Sequence, residues 1–350
     1  MTNRQLFLLG AVALVMVVLT AVITMERPET DKGFLRGSYL VQGVDLEKVE
    51  TIYLEREGES LKLDRVEGRF VIRDKGGYPA LSERVNHVFM TVAGIRVDEL
   101  VTDNPENHAI LGVDGGEKST VVRFLDDAGE PLVGVVIGDR KSDEQGIRMY
   151  VRLEDDDKVY LSDQIIPFIS TDFGGYIREN IFEGDKTRYV RLKLRNEKGS
   201  VEILREGGDF TVLGLQGSDG IDEEEIEDLY NEALSMRIVD ISPETGIDGV
   251  TYDAFLTVTR DDEIYFQVAL GAREGRCYVK AEADADFGDG KIAIYQDESD
   301  ESLREKEALL RAAEAVDSFN ELHKGWVYEV DESYLSFIEK DLLELLRQSL

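Results

Sequence analysis

The chain has 350 residues and a formal net charge of −33, from 40 Lys plus Arg against 73 Asp plus Glu. A hydrophobic share of 42% is that of a globular protein rather than a disordered one, and the acidity argues against nucleic acid, whose phosphates call for a net excess of Lys and Arg. One Cys excludes an internal disulfide and a thiolate zinc site, and three scattered His do not easily build a His-rich metal centre.

The first element is Leu6 to Met25, 20 residues without a charge. At about 1.5 Å per residue it spans roughly 30 Å, the thickness of a bilayer's hydrocarbon core. Arg4 and the free amine precede it, so the positive-inside rule puts residues 1–5 in the cytoplasm and the chain after the span on the outer side. The apolar run is longer than the roughly 7–15 residues of a signal-peptide core, and no A-x-A site follows, so residues 6–25 read as an uncleaved anchor. Residues 26–44 read as a linker. An outer part this acidic is repelled by anionic headgroups and stands off the bilayer.

From residue 45 the chain repeats itself. Val49–Arg56, Ser60–Asp64 and Arg69–Arg73 are short alternating runs joined by Gly-containing turns. Val190–Arg195, Ser200–Leu204 and Asp209–Leu213 follow the same plan, an antiparallel meander in each case. One amphipathic helix follows each meander. Leu81, Val85, Val88, Phe89 and Val92 carry its stripe in the first copy, and Ile226, Leu229, Tyr230 and Leu234 in the second, where Asp222 and Glu225 resemble a capping box. Then come short strands, Arg96–Val101 and Arg237–Ile241, each followed by a Pro and a Gly-containing turn.

Three further strands are predicted in each copy: Thr120–Leu125, Leu132–Ile137 and Ile147–Leu153, against Ala254–Thr259, Ile264–Leu270 and Cys277–Ala281. Ile137-Gly138 matches Leu270-Gly271, and Tyr150-Val151 matches Tyr278-Val279. The copies close on Val159-Tyr160 with Phe168-Ile169, and on Val327-Tyr328 with Phe337-Ile338. Before its closing strand the second copy holds a helical insert at about 297–324, with an apolar stripe of Leu303, Leu309, Leu310, Ala313, Val316 and Phe319. Tyr334, Phe337, Ile338, Leu342, Leu345 and Leu346 read as one C-terminal helix.

The predicted fold class is α+β. After one N-terminal transmembrane helix come two tandem repeated units, 45–175 and 185–350, each a curled antiparallel meander sheet with a covering helix. The stretches "VETIYLEREGESLKLDRVEGRFVI", Gly77-Tyr78-Pro79, "NPENHAILGV", "VVIGD" and "MYVRL…KVYLSD" resemble the bacterial "domain of unknown function 4340" family. The resemblance covers most of residues 38–345. It implies a single-pass protein of the bacterial cytoplasmic membrane, with its bulk periplasmic. It also implies partners, an ABC permease and ATPase with a gliding-motility-type auxiliary protein, and it brings no catalytic residues.

No catalytic, cofactor-binding or metal residue is assigned from the sequence. There is no G-x-x-x-x-G-K-[ST], no strand–GxGxxG–helix unit, no G-x-S-x-G, no H-E-x-x-H and no C-x-x-C. The acidic run Glu282 to Gly290 fails the calcium-loop spacing, because a loop counted from Asp284 has Tyr295 at its twelfth place, so it reads as a solvated hairpin tip. Glu154 to Asp157 reads as its solvated counterpart. His87 lies off its helix stripe, His108 lies in the Pro-containing turn, and His323 ends the insert helix, where a cation suits the dipole. Cys277 sits in an alternating strand as a buried thiol. Trp326, Tyr328 and Tyr334 could stack on sugars, but Val327 and Tyr328 align with Val159 and Tyr160 and so read as strand residues. The expectation is a non-enzymatic accessory or scaffold subunit of an ABC-type transporter or envelope complex, with no cofactor. The alternative is an extracytoplasmic binding module for an exported polymer such as a polysaccharide.

Overall fold

The computed structural model describes residues 36–144, 146–213, 223–286 and 299–346. The apolar run 6–25, Asp222 and most of the acidic segment after Asp286 lie outside them. Among the described residues no helix is long and apolar enough to cross a membrane.

Alternating apolar residues and two-residue turns build an antiparallel meander first. β1 (Thr51–Arg56), β2 (Glu59–Val66) and β3 (Arg69–Ile72) are joined by Glu57-Gly58 and Glu67-Gly68. All four turn residues have positive φ, as type I′ hairpin turns require. After β4 (Tyr78–Pro79), helix α1 (Ser82–Ala93) buries Val85, Val88 and Val92, and its Phe89 packs on Phe70 and Phe124 with ring centroids 5.7 and 5.0 Å apart. The chain continues through β5 (Val97–Thr102), β6 (Thr120–Leu125), β7 (Pro131–Asp143), β8 (Gly146–Leu153) and β9 (Val159–Ser162). These strands form one antiparallel sheet in the order β4-β3-β2-β1-β6-β7-β8-β9-β5.

A second antiparallel sheet follows, built from β10 (Tyr189–Asn196), β11 (Gly199–Glu206), β12 (Asp209–Val212), β13 (Ile238–Pro243), β14 (Thr251–Arg260), β15 (Ile264–Arg273), β16 (Arg276–Ala285) and β17 (Trp326–Val330). Its order is β12-β11-β10-β14-β15-β16-β17-β13. Helix α2 (Glu223–Ala233) lies between β12 and β13 in the chain. It opens on three Glu, which the helix N-terminus favours. Its Tyr230 packs 5.0 Å from Phe210 and donates to the Tyr189 carbonyl at 2.5 Å. The molecule is thus mixed α+β, with two antiparallel sheets and few helices.

Helix α3 (Asp300–His323) joins β16 to β17, within the expected insert. Only its second half packs: Ala312, Val316 and His323 are buried, whereas Leu303 and Leu310 are 38% and 47% exposed. Asn320 takes over β16's free edge, its side chain exchanging two 2.8 Å hydrogen bonds with the Ala283 backbone. A side-chain amide here does what a neighbouring strand would, which protects the edge.

The C-terminal stripe is not one helix. It divides into α4 (Leu335–Glu339) and α5 (Leu342–Leu345), with Lys340 and Asp341 between them. Asn196 donates to the Phe337, Ile338 and Lys340 carbonyls, and Asp341 accepts from the Leu343 N–H, so side chains replace the helical bonds across the break. Apolar periodicity of 3.6 runs across both pieces and could not reveal this.

One hydrophobic core extends from Leu40 to Leu346 and includes strands of both sheets. A smaller cluster of Val113, Val121, Val136 and Val159 covers the other face of the first sheet, so Gly134 to Gly138 of β7 are buried without alternation.

Candidate functional site

The two sheets meet where the β3–β4 turn touches β13 and β17. Gly76, at φ 65°, lies so close to Pro243 that a Cβ would stand 2.6 Å from Cγ. Tyr78 packs edge-on against Trp326 at 5.0 Å and Tyr328 at 6.1 Å. Lys75 pairs with Asp240, Arg69 pairs with Glu321, and the Lys75 ammonium sits 4.2 Å over the Phe173 ring. His323, Tyr328 and Tyr78 converge at this joint. His323 packs on Phe319 and Tyr328, and its Nδ1 shares a 2.8 Å hydrogen bond with the Tyr328 hydroxyl. The Tyr328 and Tyr78 hydroxyls are 3.4 Å apart.

Burial sets the protonation of this group. Desolvation, with the Arg178 charge adding to it, holds His323 down to about 3, so the ring is neutral. Burial pushes Tyr78 up to about 12 and Tyr328 higher in the same direction. The expected cationic His at a helix end is therefore corrected. Apolar packing outweighs the dipole, and the neutral ring hydrogen-bonds the Tyr328 hydroxyl instead. Phe319 and His323, four residues apart and followed by Tyr328, were the sequence signal for this cluster.

The other candidates do not join it. His108 is buried and bonds the Asp157 carbonyl at 2.9 Å, tying the turn before β6 to the turn before β9. His87 is exposed on α1. Cys277 is fully buried in β16, and desolvation lifts its thiol to about 12, far from a nucleophile's range. Tyr334 is buried and donates to the Glu232 carbonyl at 3.0 Å, so it forms no exposed platform with Trp326.

The acidic turns are structured in a way composition does not reveal. Glu154 is half-buried and takes a bidentate pair from Arg123 at 2.6 to 2.9 Å, while the buried Arg152 donates to the Val113, Leu153 and Glu154 carbonyls. Glu154 is thus an ion-pair partner rather than a solvated turn residue. Glu282 to Ala285 continue β16 instead of forming a hairpin tip, because β15 pairs with them through Ile264. The remainder of that run lies outside the described residues. Among the described residues no three His, Cys, Asp or Glu are grouped as metal ligands.

The family model described as "Domain of unknown function (DUF4340)" matches residues 71–254, more than half of the chain. The chain belongs to the DUF4340 family. The DUF4340 match begins in β3 and ends in β14, so it includes Tyr78, Gly76, Pro243 and Asp240 on both sides of the joint. No curated protein and no solved structure matches the chain.

Proposed function

We propose that this DUF4340 protein is a non-enzymatic, membrane-tethered accessory subunit, held by residues 6–25 on the outer side of a bacterial cytoplasmic membrane. Its partners in this reading are the permease and ATPase of an ABC-type transporter, with a gliding-motility-type auxiliary protein. The outer body is two tandem copies of one α+β unit, 45–175 and 185–350.

The strand orders support the duplication, since β3-β2-β1-β6-β7-β8-β9-β5 corresponds to β12-β11-β10-β14-β15-β16-β17-β13. Register supports it too. Val151 lies opposite Ile137 and Tyr160, and Val279 lies opposite Leu270 and Tyr328. The two strand glycines are forced by the same approach. A Cβ on Gly138 would meet the Leu111 carbonyl at 2.4 Å and Val113 at 2.5 Å, and one on Gly271 the Thr251 carbonyl at 2.5 Å and Val250 at 2.6 Å.

The observation that carries the scaffold reading is the joint. The buried His and Tyr side chains bond one another within a core that runs through both sheets, an arrangement that stiffens a two-unit arm. An uncharged 20-residue segment ahead of such an arm fits a tethered spacer. Crosslinking in native membranes, followed by purification of the full-length chain and mass spectrometry, tests this. Near-stoichiometric recovery of a permease and an ATPase is expected. A chain recovered alone after crosslinking overturns the accessory role.

A further inference from the structure

In a chain of net charge −33, a cleft dominated by cations calls for a reason. One such cleft, of about 350 Å³, opens at one end of the first sheet and is lined by Arg56, Lys118 and Arg140. Strand register brings the three together. Arg56 ends β1 opposite Thr120 of β6, which in turn faces Ile137 of β7. Lys118 lies two residues before Thr120 and Arg140 three residues after Ile137, so all three cations leave adjacent strands at the same end.

Their charges are unevenly committed. Arg56 pairs with Glu57 at 3.1 Å and lies 5.1 Å over the Phe168 ring. Lys118 and Arg140 are exposed and, among the described residues, make no side-chain ion pair or hydrogen bond. Among the described residues, Asp139 is the only carboxylate lining the cleft, and it stands against Gly112, where a Cβ would be 3.0 Å from its Cγ. With Glu57 paired to Arg56 and Asp139 in the lining, the cleft keeps a local excess of cations, and screening over about 8 Å at physiological salt weakens the pull of acids farther away.

Phe168 gives the second observation. It is 65% exposed, although Phe337, its counterpart in the proposed duplication, is fully buried. The fold thus does not demand an exposed ring at this place. Phe168 and Ile169 also line a second cleft of about 910 Å³ between the start of α1 and the 168–183 segment, where Ser82 and Asn180 stand among three carboxylates, Glu83, Glu179 and Glu183, and two guanidinium groups, Arg84 and Arg178. The aromatic ring thus borders both a cationic cleft and one of mixed charge, whose carboxylates can accept hydrogen bonds from hydroxyls.

We propose that these two adjoining clefts bind an acidic oligosaccharide. A sugar carboxylate pairs with Lys118 and Arg140 through charge-assisted hydrogen bonds. The sugar ring lies on Phe168, and the hydroxyls of neighbouring units meet the second cleft. Phosphate would pair with the same cations, but the exposed Phe168 ring and the adjoining cleft favour a carboxylated chain of rings. The proposal is independent of the transporter reading.

The test is titration calorimetry on the full-length chain in uncharged detergent, with an oligogalacturonate hexamer, neutral maltohexaose and inorganic phosphate as probes. The acidic hexamer should bind, and maltohexaose should bind at least about tenfold more weakly, equivalent to about 1.4 kcal/mol. Lys118→Gln and Arg140→Gln should each weaken the hexamer roughly tenfold and flatten its salt dependence, whereas Phe168→Ala should weaken it and leave the salt dependence unchanged. All three side chains are exposed, so unchanged melting curves are expected. Absence of hexamer binding, equal binding of the neutral sugar, or indifference to the three substitutions overturns the proposal. Inorganic phosphate binding as tightly as the hexamer overturns the sugar assignment in favour of free phosphate.

Discussion

The joint between the sheets makes the stability of this protein depend on pH in a calculable way. His323 is held down to about 3 by burial, against 6.5 for the exposed group. The unfolded chain therefore takes up a proton that the folded chain refuses. The contribution is fully present above about 6.5 and is lost as pH falls toward 3. One proton corresponds to about 1.4 kcal/mol per pH unit, so lowering the pH from 6.5 to 5 should cost roughly 2 kcal/mol through this group alone. His323→Gln removes the titration and keeps a hydrogen-bonding group for the Tyr328 hydroxyl. Urea unfolding at pH 7, 6 and 5 can be followed by the single Trp, Trp326, which packs on Tyr78 in the joint itself. Carboxylates titrate in both proteins and cancel in the comparison. The wild type should lose roughly 2 kcal/mol more than the variant over this window. Equal losses would refute the neutral, buried histidine.

Three other consequences follow from particular contacts. Gly138→Ala and Gly271→Ala force a methyl against a carbonyl at 2.4 and 2.5 Å, so each should destabilise by about 1–3 kcal/mol, and thermal melts should show drops of similar size. Asn196→Ala strands three carbonyls of the C-terminal segment and should cost about 1–3 kcal/mol, with amide exchange accelerated at residues 335–345 before the sheet. Cys277 should resist thiol reagents in the native state at pH 8 and react only when urea unfolds the chain, since it is fully buried and its thiol is lifted to about 12.

Strand positions were readable because alternation and Gly turns are local properties. Thr120–Leu125 came out as expected, and the meander strands shifted by one or two residues at their ends. The insert helix was also legible, Asp300–His323 falling within the expected 297–324. What escaped depended on partners far away in the chain. Asn196 breaks the C-terminal helix from 141 residues upstream, and Arg123 captures Glu154 across the sheet. The joint was hidden for the same reason. Tyr78 and Tyr328 are 250 residues apart, and neither segment announces that it packs against the other. Leu303 and Leu310 fit a helical stripe but remain exposed, because periodicity does not say how far a neighbouring sheet extends. The basic cleft was invisible in a composition dominated by acid, since register alone gathers Arg56, Lys118 and Arg140.

The central claim is that the two-sheet body is held on the outer side of a membrane by residues 6–25. Its most direct test is labelling of the full-length Ala128→Cys variant with a membrane-impermeant maleimide in intact spheroplasts. Ala128 is exposed in the β6–β7 turn, and the buried Cys277 leaves the background silent. The account predicts complete labelling without permeabilisation, and loss of the protein from the membrane fraction when residues 6–25 are deleted. Labelling only after the membrane is opened would contradict it.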